Sequence, residues 1–412
     1  MTTTDISTPP TFDTGPLSWV MVEIREALAR SRTALLEAGG RAPEDQATQL
    51  QLAKTHLHQA HGALQMVDVQ GADLVTALAE TALERFKSGA VKCTSDHVHT
   101  VSQLYQALVE YLEELLAGAP PQPARLYPYY RDVLMMTGAE RIHPADLFFP
   151  DLTRTPDLAK SAESGEPADT APDYVAMRQR FERALLPYLK SPGAAQQQEH
   201  AATLQDAVTS VAAAQRDGKA HAFWLAMQAF AELVASGDLA ASVQVKQLFG
   251  MINLQLRRLS QGNPAQPDAM LRDALFFIAM AGPDAGSATA RALGAGFGLY
   301  GLVPADIEAR HYGRIDVAAL EDARAQVAQA QDAWGQLADS NGEDEEAEMA
   351  FAGALADGAA ACDRLDVAAL GALLRQVQQA TAVNDPGLDY PALVAEITTA
   401  LQFAAHSLTQ MR

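Results

Sequence analysis

Cysteine, long apolar runs and a leader-like amino terminus are what this sequence most clearly lacks. Its two cysteines, Cys93 and Cys362, lie far apart and form no metal-type pair, so unpaired thiols are expected, with a disulfide as the alternative. The strongest apolar run, residues 274–282, is too short to span a bilayer. Residues 1–16 are polar and rich in threonine and proline, unlike a signal peptide. We therefore expect a cytoplasmic protein with no direct membrane insertion.

Positive charge and aromatic residues are also scarce. Lysine and arginine number 30 against 51 aspartates and glutamates, which gives a net charge of −21. Nothing gathers the cations into a stripe, so no nucleic acid is expected as a partner. Aromatic residues make up only 6% of the chain, whereas alanine and leucine dominate, and this composition predicts an all-α protein.

The chain is long enough for two or three domains. Its 412 residues are 48% hydrophobic, so it can bury more than one core. The parts expected in chain order are a disordered tail (1–15), an antiparallel four-helix bundle (16–118), an irregular strap (119–152), a linker (153–173), a second helical domain (174–300) and a helical extension or third domain (301–412). The linker is expected because it has no apolar periodicity.

Local signals mark the helices of the predicted bundle. Ser18 is the expected N-cap of a first helix, and Pro43 fits the first turn of a second. Gly71 marks the end of that second helix or a bend in it, and Thr94 or Ser95 caps a fourth. Four helices of this length with short connections form an antiparallel bundle.

The second of these helices carries the most informative pattern. At about 100° per residue, one arc of about 140° collects apolar side chains, namely Leu52, Ala53, Leu57, Ala60, Ala63, Leu64 and Val67. The opposite face holds Gln51, Lys54, Thr55, His58, His61, Gly62 and Gln65. His58, near the centre of that face, is predicted to be exposed, and Gly62 leaves room beside it for another protein. His56 falls inside the apolar arc and is expected to be a hydrogen-bonded core or boundary residue.

An exposed histidine on a helix suits phosphoryl transfer. Its ring nitrogen is a nucleophile when neutral, and the partner can supply the metal and the lysine. The run His58-Gln59-Ala60-His61-Gly62, with Gly71 further on, resembles the histidine-phosphotransfer (Hpt) motif His-x-x-Lys-Gly. His61 stands where the motif has lysine, which counts against transfer, although Lys54 one turn before His58 can supply a positive charge.

A broader resemblance covers about residues 17–280. The matching segments are Leu17-Ser18-Trp19-Val20, Glu23-Ile24, Ala27-Leu28, Leu57-His58-Gln59, Gly62-Ala63-Leu64-Gln65-Met66-Val67, Ile142-His143-Pro144-Ala145-Asp146-Leu147-Phe148-Phe149-Pro150, Val245-Lys246-Gln247-Leu248, Leu254-Gln255-Leu256-Arg257-Arg258-Leu259 and Arg272-Asp273-Ala274-Leu275-Phe276-Phe277. They resemble the amino-terminal region of ChpA/PilL-type chemotaxis-like hybrid histidine kinases, which the FimL scaffold of type IV pilus signalling shares. The resemblance implies an Hpt-like fold for the bundle.

The resemblance also implies a role as a phosphorelay component that controls type IV pili and twitching motility. In that role His58 is the candidate phosphoacceptor, Lys54 and His61 neutralise phosphate charge, Gly62 gives the partner access and Gln65 donates a hydrogen bond to a phosphoryl oxygen. The expected partners are response-regulator receiver domains or a histidine kinase core, with polar-localisation proteins as a further alternative. No cofactor is expected, because Mg²⁺ would belong to the partner receiver or kinase.

The alternative is a non-catalytic FimL-like scaffold with a degenerate phosphotransfer domain. The missing lysine favours the scaffold, and the outward-facing His58 favours transfer. No kinase ATP-binding segment, receiver domain, carboxylate pair or Ser/His/Asp set is recognisable, so at most a phosphohistidine carrier is expected. A metal site at His58 and His61 is disfavoured because no carboxylate on that helix completes it.

The remaining segments are predicted to be mostly helical. The aromatic residues of the strap are expected to pack on the bundle, with partner docking as the alternative. Helices are expected from Tyr174 and over about 195–216, 219–236, 239–260, 267–281, 366–380 and 390–410. The stripe around Trp224 is expected to be core, and the acidic run 341–348 an exposed loop. Residues 294–298 are glycine-rich, but no Lys-Ser/Thr follows them, so they do not indicate a phosphate loop.

Overall fold

The computed structural model describes residues 13–154, 156–157, 172–191, 193–313, 317–340, 343–365, 367–382 and 390–411. The regular structure in these ranges is helical, and no β-strand occurs in them, which confirms the all-α prediction. The α-helices are α1 (Thr14–Gly39), α2 (Ala47–Val67), α3 (Ala72–Lys87), α4 (Ser95–Leu116), α5 (Tyr127–Thr137), α6 (Tyr174–Lys190), α7 (Ala194–Ala214), α8 (Gly218–Ser236), α9 (Val243–Ser260), α10 (Asp268–Ala281), α11 (Ala288–Phe297), α12 (Val317–Asp339), α13 (Glu345–Arg364), α14 (Ala368–Ala382) and α15 (Tyr390–Gln410). Short 3₁₀ turns lie at Pro43–Asp45, Pro123–Leu126 and Pro144–Leu147.

Contacts divide the chain into two compact units, Met1–Tyr312 and Gly313–Arg412. The first unit contains both regions that the sequence separates at 153–173. Much of that predicted linker, and residues 1–12 of the predicted tail, lie outside the described residues. Within the described residues, no helix combines the length and the apolar character that crossing a membrane requires.

Helices α1–α4 form an antiparallel four-helix bundle. Helices α1 and α3 each pack against both α2 and α4. Along α1 and α4 the contacts run in opposite order, since Gly39 lies beside Val98 while Arg25 pairs with Glu113. The buried hydroxyl of Ser31 donates to the Ala53 carbonyl at 2.8 Å and so joins α1 to α2. A bundle of this kind shields one apolar stripe from each helix.

Two of the predicted helix starts in the bundle are wrong. Helix α1 begins four residues before Ser18, because the Asp13 carboxylate accepts from the Gly15 amide at 3.0 Å and is the N-cap. Ser18 lies inside α1 and donates to the Gly15 carbonyl. Pro43 begins a separate 3₁₀ turn rather than α2. The prediction at Thr94 is confirmed, because its side chain accepts from the His97 amide.

The strap packs on the bundle, as predicted. Its short helix, α5, contacts α3 and α4, and its aromatic residues Tyr127, Tyr129, Tyr130 and Phe148 are buried. Phe149 is partly buried. The docking alternative is wrong for these side chains, because the protein's own core covers them.

Helix α8 is the buried central helix of the region α6–α11 and packs against α7, α10 and α11. Apolar side chains of α8 are buried on nearly every side, as expected of a helix enclosed by others. Phe230 of α8 contacts Phe249 and Phe277, with ring centroids 4.9 and 5.3 Å apart. The prediction that the stripe around Trp224 is core is confirmed. The predicted helix over 239–260 begins only at Val243, because the Ser242 side chain caps it.

The second unit is built from α12–α15. Helix α12 packs against α13 and α15, and α14 also packs against both. The loop prediction for 341–348 is wrong from Glu345 onward, because Asp344 caps α13 by accepting from the Ala347 amide at 3.0 Å. Acidic side chains in a first turn are stabilised by the helix dipole. Residues 341–342 lie outside the described residues. The glycine-rich run 294–298 ends α11 and does not form a loop between strand and helix.

Candidate functional site

Helix α2 buries one face and exposes the other. Its buried residues are Leu50, Ala53, Leu57, Ala60, Ala63 and Leu64. The predicted arc is wrong at Leu52, which is 45% exposed because it stands at the arc's edge, and Val67 is only partly buried. His56 is a boundary residue, partly buried, with Nδ1 3.2 Å from the Gln59 Oε1 atom.

His58 lies on the exposed face, with 76% of its side chain accessible. Its Nδ1 atom is 3.0 Å from Oε1 of Glu80 on α3. An ionised carboxylate only accepts hydrogen bonds, so Nδ1 carries the hydrogen and donates it. In a neutral ring the lone pair then lies on Nε2. The exposed nitrogen is therefore the one able to act as a nucleophile.

The side chains of His61 and Gln65 are hydrogen-bonded to neighbouring residues of the protein. The Thr76 hydroxyl donates to the Ala72 carbonyl at 2.8 Å, so it accepts from Nδ1 of His61. Nε2 of His61 then accepts from the Gln65 side-chain amide at 3.0 Å. The rings of His58 and His61 lie 6.4 Å apart. In this arrangement His61 and Gln65 are both already engaged in hydrogen bonds within the protein.

Lys54 is also engaged by α3. Its Nζ atom is 2.6 Å from Oε2 of Glu84, and this hydrogen bond with the lysine charge lowers the pKa of Glu84. Lys87 of α3 donates a hydrogen bond to the Gln51 side chain of α2 at 2.8 Å. The lysine expected to neutralise phosphate therefore already faces a carboxylate.

Sequence reasoning missed the α3 side of this surface. Thr76, Glu80 and Glu84 recur at four-residue spacing, which places them on one face of α3. The turn at Gly71 reverses the chain, so this face meets the polar face of α2 in opposite order. The spacing together with the turn is the signal by which Glu80 and Glu84 could have been found.

Gly62 has open space around it. A Cβ atom built there meets no other atom within 4 Å, so packing within the protein does not require a glycine. Gly71 is the opposite case, because its φ is +82° and a Cβ would lie 2.8 Å from Pro123. Of the two glycines, only Gly71 is required by the fold itself.

Large apolar side chains are also exposed on α1 and α2. Trp19 is 88% exposed, Val22 63% and Met66 76%. Because α1 and α2 run antiparallel from the Ser31–Ala53 contact, Trp19 and Met66 lie toward the same end of the bundle. Exposed apolar groups of this size are typical of protein-binding surfaces.

Metal-ion and thiol chemistry find little support in the described structure. Within the described residues, no group of three or more His, Cys, Asp or Glu is placed to hold a metal ion. Cys93 and Cys362 are buried free thiols, and burial raises the pKa of each. Raised thiol pKa values oppose nucleophilic cysteine chemistry.

These features describe an all-α protein with an exposed polar surface formed by α2 and α3. Residues 166–310 match the family model of the FimL scaffold protein second domain. Helices α6–α11 lie in that range. No curated protein and no solved structure has significant similarity to the chain. The match does not reach His58, so the ChpA/PilL and Hpt resemblance of the first bundle stays a prediction.

Proposed function

We propose that this protein is a FimL-like signalling scaffold in a chemotaxis-like system that controls type IV pili and twitching motility. The observation that carries the proposal is the match of residues 166–310 to the FimL second-domain family. The proposed partners are receiver domains, a histidine kinase core and polar-localisation proteins, held partly by the α2–α3 surface. The protein acts in the cytoplasm and needs no cofactor of its own.

The charges around His58 support a scaffold over a phosphate carrier. A phosphoryl group on Nε2 would add about two negative charges close to Glu80 and Glu84. Each pair of like unit charges about 6 Å apart costs about 0.7 kcal/mol in water, and more where water is partly excluded. Lys54 offsets this only in part, because Glu84 already shares its charge.

Gly62 and the exposed apolar residues support the same proposal. A glycine inside a helix costs about 1 kcal/mol relative to alanine, and nothing in the described surroundings of Gly62 requires it. A docked protein gives a reason to keep the position small, because it can approach the backbone closely there. Met66, one turn after Gly62 on the same helix, provides exposed apolar contact area beside it.

A second function, phosphohistidine carrier, is favoured by one specific observation. Glu80 holds the Nδ1 hydrogen of His58 and directs Nε2 to solvent. In transfer, Nε2 attacks the phosphorus of a partner's aspartyl phosphate, the N–P bond forms, and the P–O bond to the partner carboxylate breaks. The partner's Mg²⁺ and lysine stabilise the developing charge.

Transfer and binding measurements together separate the two functions. Phosphorylated receiver and active kinase core of the cognate system are mixed with the wild type, with His58→Gln and with His99→Gln, an exposed histidine on α4 as control. The scaffold proposal expects partner binding without acid-labile, base-stable label in any of the three. Label that appears in the wild type and His99→Gln but not in His58→Gln would contradict the scaffold proposal and support the phosphohistidine-carrier function. Absence of both label and binding would contradict both functions.

A further inference from the structure

An apolar groove lies between α14 and α15 of the second unit. Its volume is about 590 Å³, and Leu370, Leu373, Gln376, Phe403, Ser407 and Met411 are among the residues that line it. The first half of α14 faces the last half of α15, so the two helices run in opposite directions along it. Phe403 is 61% exposed, an unusual position for so large an apolar side chain.

Helix α14 carries a buried apolar row and a second, mixed row of two alanines, a leucine and a glutamine, of which Leu373 also packs partly against the unit's core. Leu370, Leu374 and Val377 are buried against the rest of the unit. The second row, residues 369, 372, 373 and 376, follows the i, i+3, i+4, i+7 spacing by which one helix packs on another. It faces the groove and is exposed or only partly buried. The alanines at 369 and 372 allow a close backbone approach.

The dimensions of the groove fit a helix. The lining residues on this side run from Val367, just before α14, to Gln376, about 14 Å at 1.5 Å per residue. Phe403, Ser407 and Met411 follow one another at single-turn spacing along the facing side of α15. A partner helix of about three turns would place i, i+3 or i+4, and i+7 side chains between the two walls.

The charge of the unit determines which helix would bind there. Residues 313–412 contain 16 aspartates and glutamates but only five arginines and no lysine, a net charge of −11. The described arginines are occupied, since Arg364 pairs with Asp322, Arg375 pairs with Asp363 and Arg324 donates to backbone carbonyls. Glu396 is exposed two turns before Phe403 on the same side of α15. Such a field attracts cations and repels acidic proteins, including a second copy of this chain.

We propose that the α14–α15 groove binds a basic amphipathic helix of a partner protein. The apolar face of that helix covers Leu373 and Phe403, and its flanking lysines or arginines face the carboxylates of the unit. This inference does not depend on the function proposed for the first bundle, because it rests only on the second unit.

The test uses the full-length chain and two fluorescent helical peptides of about 18 residues. The peptides share one leucine row and carry either lysines or glutamates on the polar face, and binding is measured by anisotropy at low and high salt. We expect the lysine peptide to bind, more weakly at high salt, and the glutamate peptide not to bind. Phe403→Ser should weaken binding of the lysine peptide at least tenfold, whereas Met349→Ser, at an apolar site on α13 that is even more exposed, should leave the affinity unchanged.

A second variant guards against a folding artefact. Ala372→Gln keeps a good helix former on an exposed position but extends a side chain into the groove, so it should weaken binding to a similar degree. Equal binding of the two peptides, or lysine-peptide binding that survives both groove variants, would overturn the proposal. So would a dimer in sedimentation equilibrium that Phe403→Ser dissociates, because the occupant would then be a second copy.

Discussion

At the scale of single residues, Gly62 and Gly71 have opposite roles in the same helix pair. Gly71 is the N-cap residue of α3, adopts a positive φ and lies against the strap at Pro123 and Phe149. Gly62 lies inside α2, and open space surrounds the position that a side chain would occupy there. The fold therefore requires glycine at Gly71, whereas glycine at Gly62 is explained only by contact with a partner.

Substituting alanine at these two positions should therefore change the free energy of unfolding in opposite directions. Gly62→Ala is expected to raise the free energy of unfolding of the first unit by about 0.5–1 kcal/mol, because it lowers the entropy of the unfolded chain. Gly71→Ala is expected to lower it by about 2 kcal/mol or more, through the left-handed backbone and the clash with Pro123. Urea unfolding followed by circular dichroism measures both, and equal effects would contradict the distinction.

At the scale of elements, a polar cluster joins the strap to α10. Arg141 donates to both carboxylate oxygens of Asp273, at 2.8 and 3.2 Å, and also to Asp146. Asp273 is only 1% exposed, so burial raises its pKa even though the guanidinium opposes that shift. His143 lies in the same cluster, with its ring edge-on to Phe276 and Phe277.

Removing one partner of the buried pair should be costly. Arg141→Met is expected to destabilise the first unit by about 3 kcal/mol, because it leaves a buried carboxylate without its cation. Without the arginine the raised pKa of Asp273 rises further, so the loss should be larger at pH 7 than at pH 5, where the carboxyl can take up a proton. Arg180→Met, which breaks an exposed pair with Asp206, serves as the control and should cost less than about 0.5 kcal/mol.

His143 should make this junction sensitive to acid. Burial, with help from the Arg141 and Arg272 charges and against Asp146, lowers its pKa from 6.5 to about 4. The unfolded chain therefore binds the proton more readily, and about 3 kcal/mol of stability present above pH 6.5 is lost as the pH falls toward 4. Urea midpoints between pH 7 and pH 4.5 measure the slope.

The matched variants for this prediction are two histidine replacements. His143→Gln keeps an acceptor for the Ala145 amide and should flatten the pH dependence. His99→Gln, on the exposed side of α4, should leave it as in the wild type. An unchanged slope in His143→Gln would assign the acid sensitivity to other groups.

At the scale of the whole molecule, two separate cores support two units. One core runs through α1–α11, and the other joins α12–α15 around Trp334 and Phe351. Each unit contains one buried free cysteine, Cys93 in the first and Cys362 in the second. The two thiols therefore report on different cores.

Thiol labelling should resolve two unfolding transitions. The Cys362→Ala variant leaves Cys93 as the reactive thiol, and Cys93→Ala leaves Cys362. Burial protects each thiol from the reagent until its unit unfolds. We expect different denaturant midpoints, with a steeper transition for the first unit because it exposes more surface on unfolding. Coincident midpoints and slopes would mean that the chain unfolds as one cooperative body.

The sequence by itself determined the all-α class, many of the helices and the exposed position of His58, whereas α11, α12 and α13 were not among the predicted helices. Apolar spacing of 3.6 residues and capping side chains are local features, so α2, α8 and the cap at Thr94 could be predicted without the fold. The N-cap at Asp13 was also available locally and was missed in favour of Ser18. A polar face opposite an apolar arc must point away from the core, which explains why the exposure of His58 follows from periodicity alone.

Only the tertiary structure decided what surrounds that face. Glu80 and Glu84 approach His58 and Lys54 because α3 packs antiparallel on α2, and no local pattern in α2 contains that information. The groove of the second unit likewise depends on how α14 and α15 pack. Pairings between distant residues depend on the relative placement of helices, and helix periodicity does not specify that placement.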